Sequence, residues 1–536
     1  VISSLVLSPG SRAGFLGRVA GLLQQPAVSR GALAAVFVGA IVVQASQRLS
    51  ADDGWLLIAT RRLLAGRRLY VDDFVDPNPP LILYLLAPPV AAARALAISE
   101  VLALRVYLFA LAGASIALCA RLAAVGLSGG ERAALRWWLI LTAFGLLLLD
   151  RRDFGQREHL IALFLIPFLV HASACARGCR PPAPESIAAG LLAGLAVGLK
   201  PQYALVPCLA LLGVFGAQRR LRVGTGGALA ALGVVVVADL VLLKPDYLRY
   251  ALPLALETYG AYRNPLPGLL RGSDLLLLAA AISAPFLVPG ATALSRQARI
   301  FAPATAAAYG AYLISGTGWN YHLVPFQMLA LSTLSLVVVK PLSGWSEPVP
   351  TLRGAASTAA GAGTFATVAV LLTMAPLGIA GSLRNRLEWR PRSAGAMAEL
   401  RGLIDRHARD GAIWVISLAL TPAFPVVNDS GVEWASRFGY LWPLPAVIRS
   451  RAEPTTPERR ERLDAIERQV AAAVVEDLER CRPDLIAVPL RRQGALHGLD
   501  FDFLVSFGRD PRFAGVWSDY EWVEDTPHLR AYARRG

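Results

Sequence analysis

Apolar residues in this chain fall into blocks near the roughly 20 residues a helix needs to cross a hydrocarbon core, and clusters of Gly, Pro or Arg separate the blocks. The pattern predicts spans near 31 to 49, 101 to 124, 137 to 150, 159 to 176, 187 to 199, 203 to 217, 225 to 243, 274 to 290, 300 to 314, 322 to 339 and 358 to 381. That makes an α-helical polytopic membrane protein with about eleven transmembrane helices. About 30 residues precede the first block, too many for a usual signal-peptide leader. An uncleaved first span is therefore expected, although Val43-Gln44-Ala45 resembles a cleavage site.

The block from Pro79 to Ile98 is apolar enough to span, but it carries Pro79, Pro80, Pro88, Pro89 and Arg94. It reads as a re-entrant or juxtamembrane helix. With that choice Arg121, Arg132 and Arg136, then Arg177 and Arg180, then Arg219, Arg220 and Arg222, then Arg296 and Arg299 share one side with the N-terminus. The positive-inside rule makes that side cytoplasmic. The same topology puts Asp52-Asp53, the stretch Asp150 to His159, Lys200-Pro201-Gln202-Tyr203 and Gly316 to His322 together on the outer face.

After about residue 384 the chain turns charged and mixed, so residues 1–383 form a membrane domain and 384–536 a soluble extracytoplasmic α/β domain. Helical patterns at 393 to 409 and 457 to 480 alternate there with strand-like runs Ile413 to Leu418, Leu485 to Val488 and Phe513 to Trp517. No internal repeat of fixed period is visible.

Composition agrees with the pattern: 55% of the 536 residues are hydrophobic and 17% charged, with mean hydropathy +0.49. The formal net charge of +15 invites a nucleic-acid reading, but the arginines lie in short clusters between apolar blocks, so anionic headgroups of a lipid bilayer are the expected partner and nucleic acid is not. Five cysteines give no disulfide framework. Cys175 and Cys179 lack neighbouring ligands that would complete a zinc site.

Candidate chemistry begins directly after the first span with Asp52-Asp53-Gly54-Trp55 and continues through Tyr70-Val71-Asp72-Asp73-Phe74-Val75-Asp76-Pro77-Asn78-Pro79-Pro80. Carboxylates beside a low-dielectric medium tend towards raised pKa values, which suits proton acceptance from a hydroxyl. Capping and loop solvation are the alternative, favoured for Asp72, whereas Asp53 beside Trp55 leans to function. The run Asp150-Arg151-Arg152-Asp153-Phe154-Gly155-Gln156-Arg157-Glu158-His159 is dense in ionisable groups for its depth; it is either a self-neutralising network or a headgroup site. Lys200 and His322 could each meet a phosphate, or respectively snorkel and pack. Trp319 and Tyr321 suit stacking on a sugar ring, or an interfacial aromatic belt.

Together these residues resemble the GT-C superfamily of polyprenyl-phosphate-sugar-dependent membrane glycosyltransferases, in the branch of protein mannosyltransferases and lipid A aminoarabinose transferases. The likeness rests on the acidic pair Asp52-Asp53 after the first span, on Asp76 before the Pro79-Pro80-Leu81 segment, and on Ser99-Glu100 and Arg105. Two departures stand out: Pro77-Asn78 replaces the Glu-Lys that often precedes Pro-Pro, and the pair is Asp-Asp rather than Asp-Glu.

The resemblance implies inverting transfer of a sugar from a polyprenyl-phosphate donor to a hydroxyl of a glycan, lipid or protein acceptor, at the outer face of a bacterial-type cytoplasmic membrane. It assigns Asp53 as base with Asp52 as second choice, and Asp76 as the group that orients acceptor or base. Donor phosphate and sugar fall to Lys200, Arg157, His322, Tyr321, Trp319 and Glu158, and the acceptor side to Asp73 and Tyr70. The aspartates could hold a divalent ion, though this branch generally does without metal. A transporter or flippase for a lipid-linked sugar is the rival class; it predicts repeated halves and broken helices near the midplane.

Overall fold

The computed structural model describes residues 22–343 and 394–535, apart from positions 72, 128, 150, 151, 220–222, 291, 491–498 and 500. Expectations for Asp72, Asp150, Arg151, Arg220, Arg222 and the 358–381 span lie outside those residues. Every other expected span coincides with a helix. Among the described residues seven helical stretches are long and apolar enough to cross a membrane: Pro26–Ala45, Glu100–Ala123, Gly130–Leu149, Arg157–Ala176, Pro201–Gln218, Gly224–Leu243 and Asn320–Lys340. Ala183–Leu199 and Gly272–Leu287 are apolar but shorter, and Ala293–Ser315 is a further helix of 23 residues. The chain is a helical, multi-pass membrane protein with a small sheet in its C-terminal region.

By internal packing the described residues divide into two compact units. The first draws on Val1–Gln47, Leu108–Val237 and Leu266–Glu388; the second on Arg48–Tyr107, Ala238–Pro265 and Trp389–Gly536. In the first, Arg157–Ala176 is buried over all 20 of its residues and forms the axis of the bundle. Close helix approach there depends on small residues: a Cβ on Gly190 would lie 2.0 Å from the Ala228 carbonyl oxygen, and one on Gly194 would lie 2.7 Å from Val235 Cβ. Polar side chains tie other helices together, with Trp138 Nε1 donating to the Ser332 carbonyl at 2.8 Å and Thr305 facing Thr333 at 3.0 Å.

The second unit opens with helix Ala51–Leu64, whose N-terminus is closed by Ser50. The proline-bearing block forms helix Leu81–Leu96, 16 residues long. At 1.5 Å per residue that is about 24 Å, short of the ~30 Å hydrocarbon thickness. The C-terminal segment adds strands β1 (Ala412–Val415), β2 (Glu433–Trp434), β3 (Leu485–Pro489), β4 (Tyr520–Asp525) and β5 (Leu529–Arg534), in the order β2-β1-β3-β5-β4. β1 runs parallel to β2 and β3, and β5 is antiparallel to β3 and β4.

The expected helices appear as Ala394–His407 and Pro457–Cys481. The expected strand at Phe513 to Trp517 is instead a short helix. Its two aromatic ends are four residues apart, and the helical turn stacks Phe513 on Trp517 at 5.4 Å while Phe513 also meets Phe507 at 5.9 Å. Two fully buried acids on Pro457–Cys481 lock this region. Glu467 accepts from Arg451, Arg509 and Ser506, and Asp477 from Ser436, Arg437 and Arg480. Burial raises the Asp477 carboxyl above its ordinary value against the pull of Arg437 and Arg480.

Candidate functional site

The sequence-predicted residues form two groups, one in each unit. In the first unit Glu158 sits in the opening turn of Arg157–Ala176, Lys200 ends helix Ala183–Leu199, and His322 lies in the turn before Val324–Ser343. All three are buried, as is Arg157, the residue before Glu158. Lys200 Nζ pairs with Glu158 Oε1 and lies 3.0 Å from His322 Nε2, which is itself 3.3 Å from Glu158 Oε1. With Nε2 accepting from the ammonium, His322 carries its proton on Nδ1 and donates it to Thr317 Oγ1 at 2.9 Å. Tyr203 donates its phenol to the His322 carbonyl at 3.3 Å.

Aromatic rings cover this cluster. Tyr321 meets the His322 ring edge-on at 4.4 Å, Trp319 lies 5.7 Å from Tyr321, and Lys200 Nζ is 5.9 Å from the centre of the Tyr321 ring. An ammonium has three N–H donors, of which Glu158 and His322 engage two. Its charge is fixed in place with one donor direction remaining, an arrangement suited to receiving an anion. His159, from the same run as Glu158, acts structurally: its Nδ1 accepts from the Gly155 N–H at 3.3 Å, so Nε2 donates to the Leu146 carbonyl at 2.9 Å.

In the second unit the acidic residues have distinct environments. Asp53 is 5% exposed and joins the helix cap: its N–H donates to Ser50 Oγ at 3.1 Å, and the Ser50 hydroxyl donates back to its carboxylate at 2.8 Å. Asp52, one residue earlier, is half-buried. Asp76 is buried and accepts three bonds, from Trp55 Nε1 at 3.1 Å and from the Asn78 backbone and side chain at 2.9 and 3.0 Å. Asp73 pairs with Arg62 at 3.1 Å, Arg67 at 3.5 Å and Arg480 at 3.6 Å. Tyr70 holds a positive φ of 66° and donates its hydroxyl to the Asn78 carbonyl at 2.6 Å. Both residues brace the loop that presents Asp76.

The C-terminal segment closes around that loop, which no local sequence signal announced. Val75 N–H donates to the Arg437 carbonyl at 2.9 Å, and Trp442 Nε1 to the Val75 carbonyl at 3.1 Å. Arg62 reaches the Ser436 and Trp434 carbonyls at 2.8 and 2.6 Å. Gly439 packs so tightly on the Trp55 indole that a Cβ there would lie 2.7 Å from ring carbons. Tyr440 follows it. Burial pushes the Tyr440 phenol well above its ordinary value, and Tyr259, Tyr262, Asp76 and Asp52 add to the rise, so at neutral pH it is a hydrogen-bond donor beside carboxylates.

Among the described residues no three His, Cys, Asp or Glu side chains group as metal ligands. No protein-family model matches the chain, and no curated protein is similar to it. Among solved structures it is similar to a crystal structure of ArnT from Cupriavidus metallidurans bound to undecaprenyl phosphate. That likeness has 13% identity and a TM-score of 0.49, covering 93% of this chain and 97% of the other.

Proposed function

We propose that this protein is an inverting glycosyltransferase that moves a sugar from a polyprenyl-phosphate donor to an acceptor hydroxyl at the outer face of the cytoplasmic membrane. The observation that carries the reading is the buried Lys200, held by Glu158 and His322 beneath Trp319 and Tyr321 in a unit built of membrane-length helices. A charge buried in the protein is costly, and this one is held in a fixed direction by its two partners. The acidic residues after the first span and before Pro79-Pro80-Leu81 are the candidate proton acceptors.

In the proposed reaction a carboxylate takes the acceptor hydroxyl proton, the oxygen attacks the anomeric carbon from the face opposite the phosphate, and the bond from that carbon to the phosphate oxygen breaks. The prenyl phosphate leaves with one more negative charge, which Lys200 and Arg157 stabilise while His322 holds Lys200 in place. Trp319 and Tyr321 stack on the transferred sugar, and Glu158 fixes Lys200. Asp53, oriented by the Ser50 hydroxyl, is the carboxylate that takes the proton, with Asp52 as second choice. Asp76, held by Trp55 and Asn78, orients the acceptor together with Tyr440.

The test is to incubate the purified protein with a panel of polyprenyl-phosphate sugars and measure release of prenyl phosphate. Wild type turns over one of them. Asp53→Asn abolishes turnover with donor binding intact. Equal turnover by Asp53→Asn and wild type would remove Asp53 from the role.

A further inference from the structure

The loop from Gly316 to His322 carries three of the side chains assigned above, yet its own sequence makes it loose. Gly316 and Gly318 hold φ angles of +71° and +69°, and glycines give up the most conformational freedom on ordering. Thr317 binds His322 within the loop, and Tyr203 binds the His322 carbonyl at its far end. Between them, Gly318 and Asn320 are engaged by one residue from another element. Arg271 donates through Nη2 to the Gly318 carbonyl and through Nη1 to Asn320 Oδ1, each at 2.5 Å.

The anchor is itself fixed. Arg271 is the residue immediately before helix Gly272–Leu287, in extended backbone geometry. Buried Asp274, in that helix's first turn, accepts from Gln327 Nε2 at 3.2 Å, and Gln327 belongs to the helix that follows His322. On the other side Tyr312 donates its hydroxyl to the Leu269 carbonyl at 3.2 Å, and Tyr312 belongs to the helix that Gly316 ends. The backbone on both sides of Arg271 is therefore tied to the two helices that the loop connects. The planar guanidinium bridges two acceptors two residues apart, which a lysine ammonium on a flexible stem cannot reproduce.

We propose that Arg271 is a positioning residue: it clamps the Gly316–His322 loop and so sets the placement of Trp319, Tyr321 and His322, and through His322 the Lys200 ammonium. The consequence for transfer rests on the glycosyltransferase reading; the clamp does not. A loop released by about 1 Å costs on the order of 100-fold in rate through misplaced groups.

The test uses the full chain in nanodiscs with four variants: Arg271→Ala, Arg271→Lys, Asn320→Ala and the Arg271→Ala/Asn320→Ala double. Hydrogen exchange of the 316–322 amides is expected to rise about tenfold or more in Arg271→Ala, to an intermediate level in Arg271→Lys, and to stay unchanged in Arg157–Ala176, which reports intact folding. In turnover, kcat falls with the donor KM little changed, and the double variant is no worse than Arg271→Ala because both act through one contact. Unchanged exchange in 316–322, or rate losses of Arg271→Ala and Asn320→Ala that multiply in the double variant, would overturn the proposal. Faster exchange together with no transfer by wild type from any donor would leave the clamp standing and sink the glycosyltransferase reading.

Discussion

The two groups of functional residues are held by different physics. The first unit's group is an ion pair braced by an imidazole: Glu158, Lys200 and His322 satisfy one another at the ends of helices, beneath aromatic cover. The second unit's group is held by packing and neutral donors: Trp55 and Asn78 fix Asp76, Ser50 fixes Asp53, and Gly439 seats the indole that makes the first of those bonds. An ion network loses most when one member is removed, because the remaining charge is stranded. A packed carboxylate site fails more gradually, through displaced neighbours.

That contrast is sharpest at Lys200. Lys200→Met strands Glu158, which is 2% exposed, and is expected to destabilise the protein by about 3–5 kcal/mol in denaturant unfolding from mixed micelles. Adding Glu158→Gln should recover most of that loss without restoring transfer. If the single variant unfolds like wild type, the group is not an interdependent ion network. A smaller effect belongs to Gly439→Ala, whose methyl meets the Trp55 ring and should cost about 1–3 kcal/mol by overpacking. It should also weaken acceptor use by shifting the donor to Asp76, and an unaltered acceptor KM would separate Trp55 from that role. The smallest effect is expected for Ser50→Ala, about 1 kcal/mol for a lost helix cap. Turnover should persist at a reduced rate; its complete loss would show that the Ser50 hydroxyl is needed to orient the base.

Much of the helical pattern was legible because apolar blocks and their Arg, Gly and Pro boundaries are local features. The proline-rich block at 79 to 98 and the helices at 394–407 and 457–481 were readable for the same reason. The sheet was harder. β4 and β5 present charged residues such as Glu521, Glu524 and Arg530, so they lack the apolar alternation that marks a half-buried strand. Over only five residues, Phe513 to Trp517 offered hydrophobicity without a distinguishable period.

In the candidate site the ionisable residues were visible one by one, but their partners were not. Nothing local connects Glu158 to Lys200, Arg271 to Gly318, or Tyr440 to Asp76, since each link joins residues brought together only by the tertiary fold. The dual character of Asp53 was also hidden, because Ser-x-x-Asp before an apolar run is both a helix start and an acidic motif.

The wholly enclosed helix Arg157–Ala176 carries a consequence for assembly. Helix Gly224–Leu243 keeps only 11% of its apolar window inside the protein, whereas Arg157–Ala176 keeps 100%. During synthesis the enclosed segment enters the bilayer before its later neighbours exist, so acyl chains must first surround it and then be expelled as the remaining helices arrive. A photoactivatable fatty acid should therefore tag Gly224–Leu243 in the mature protein, and reach Arg157–Ala176 only in truncated nascent chains.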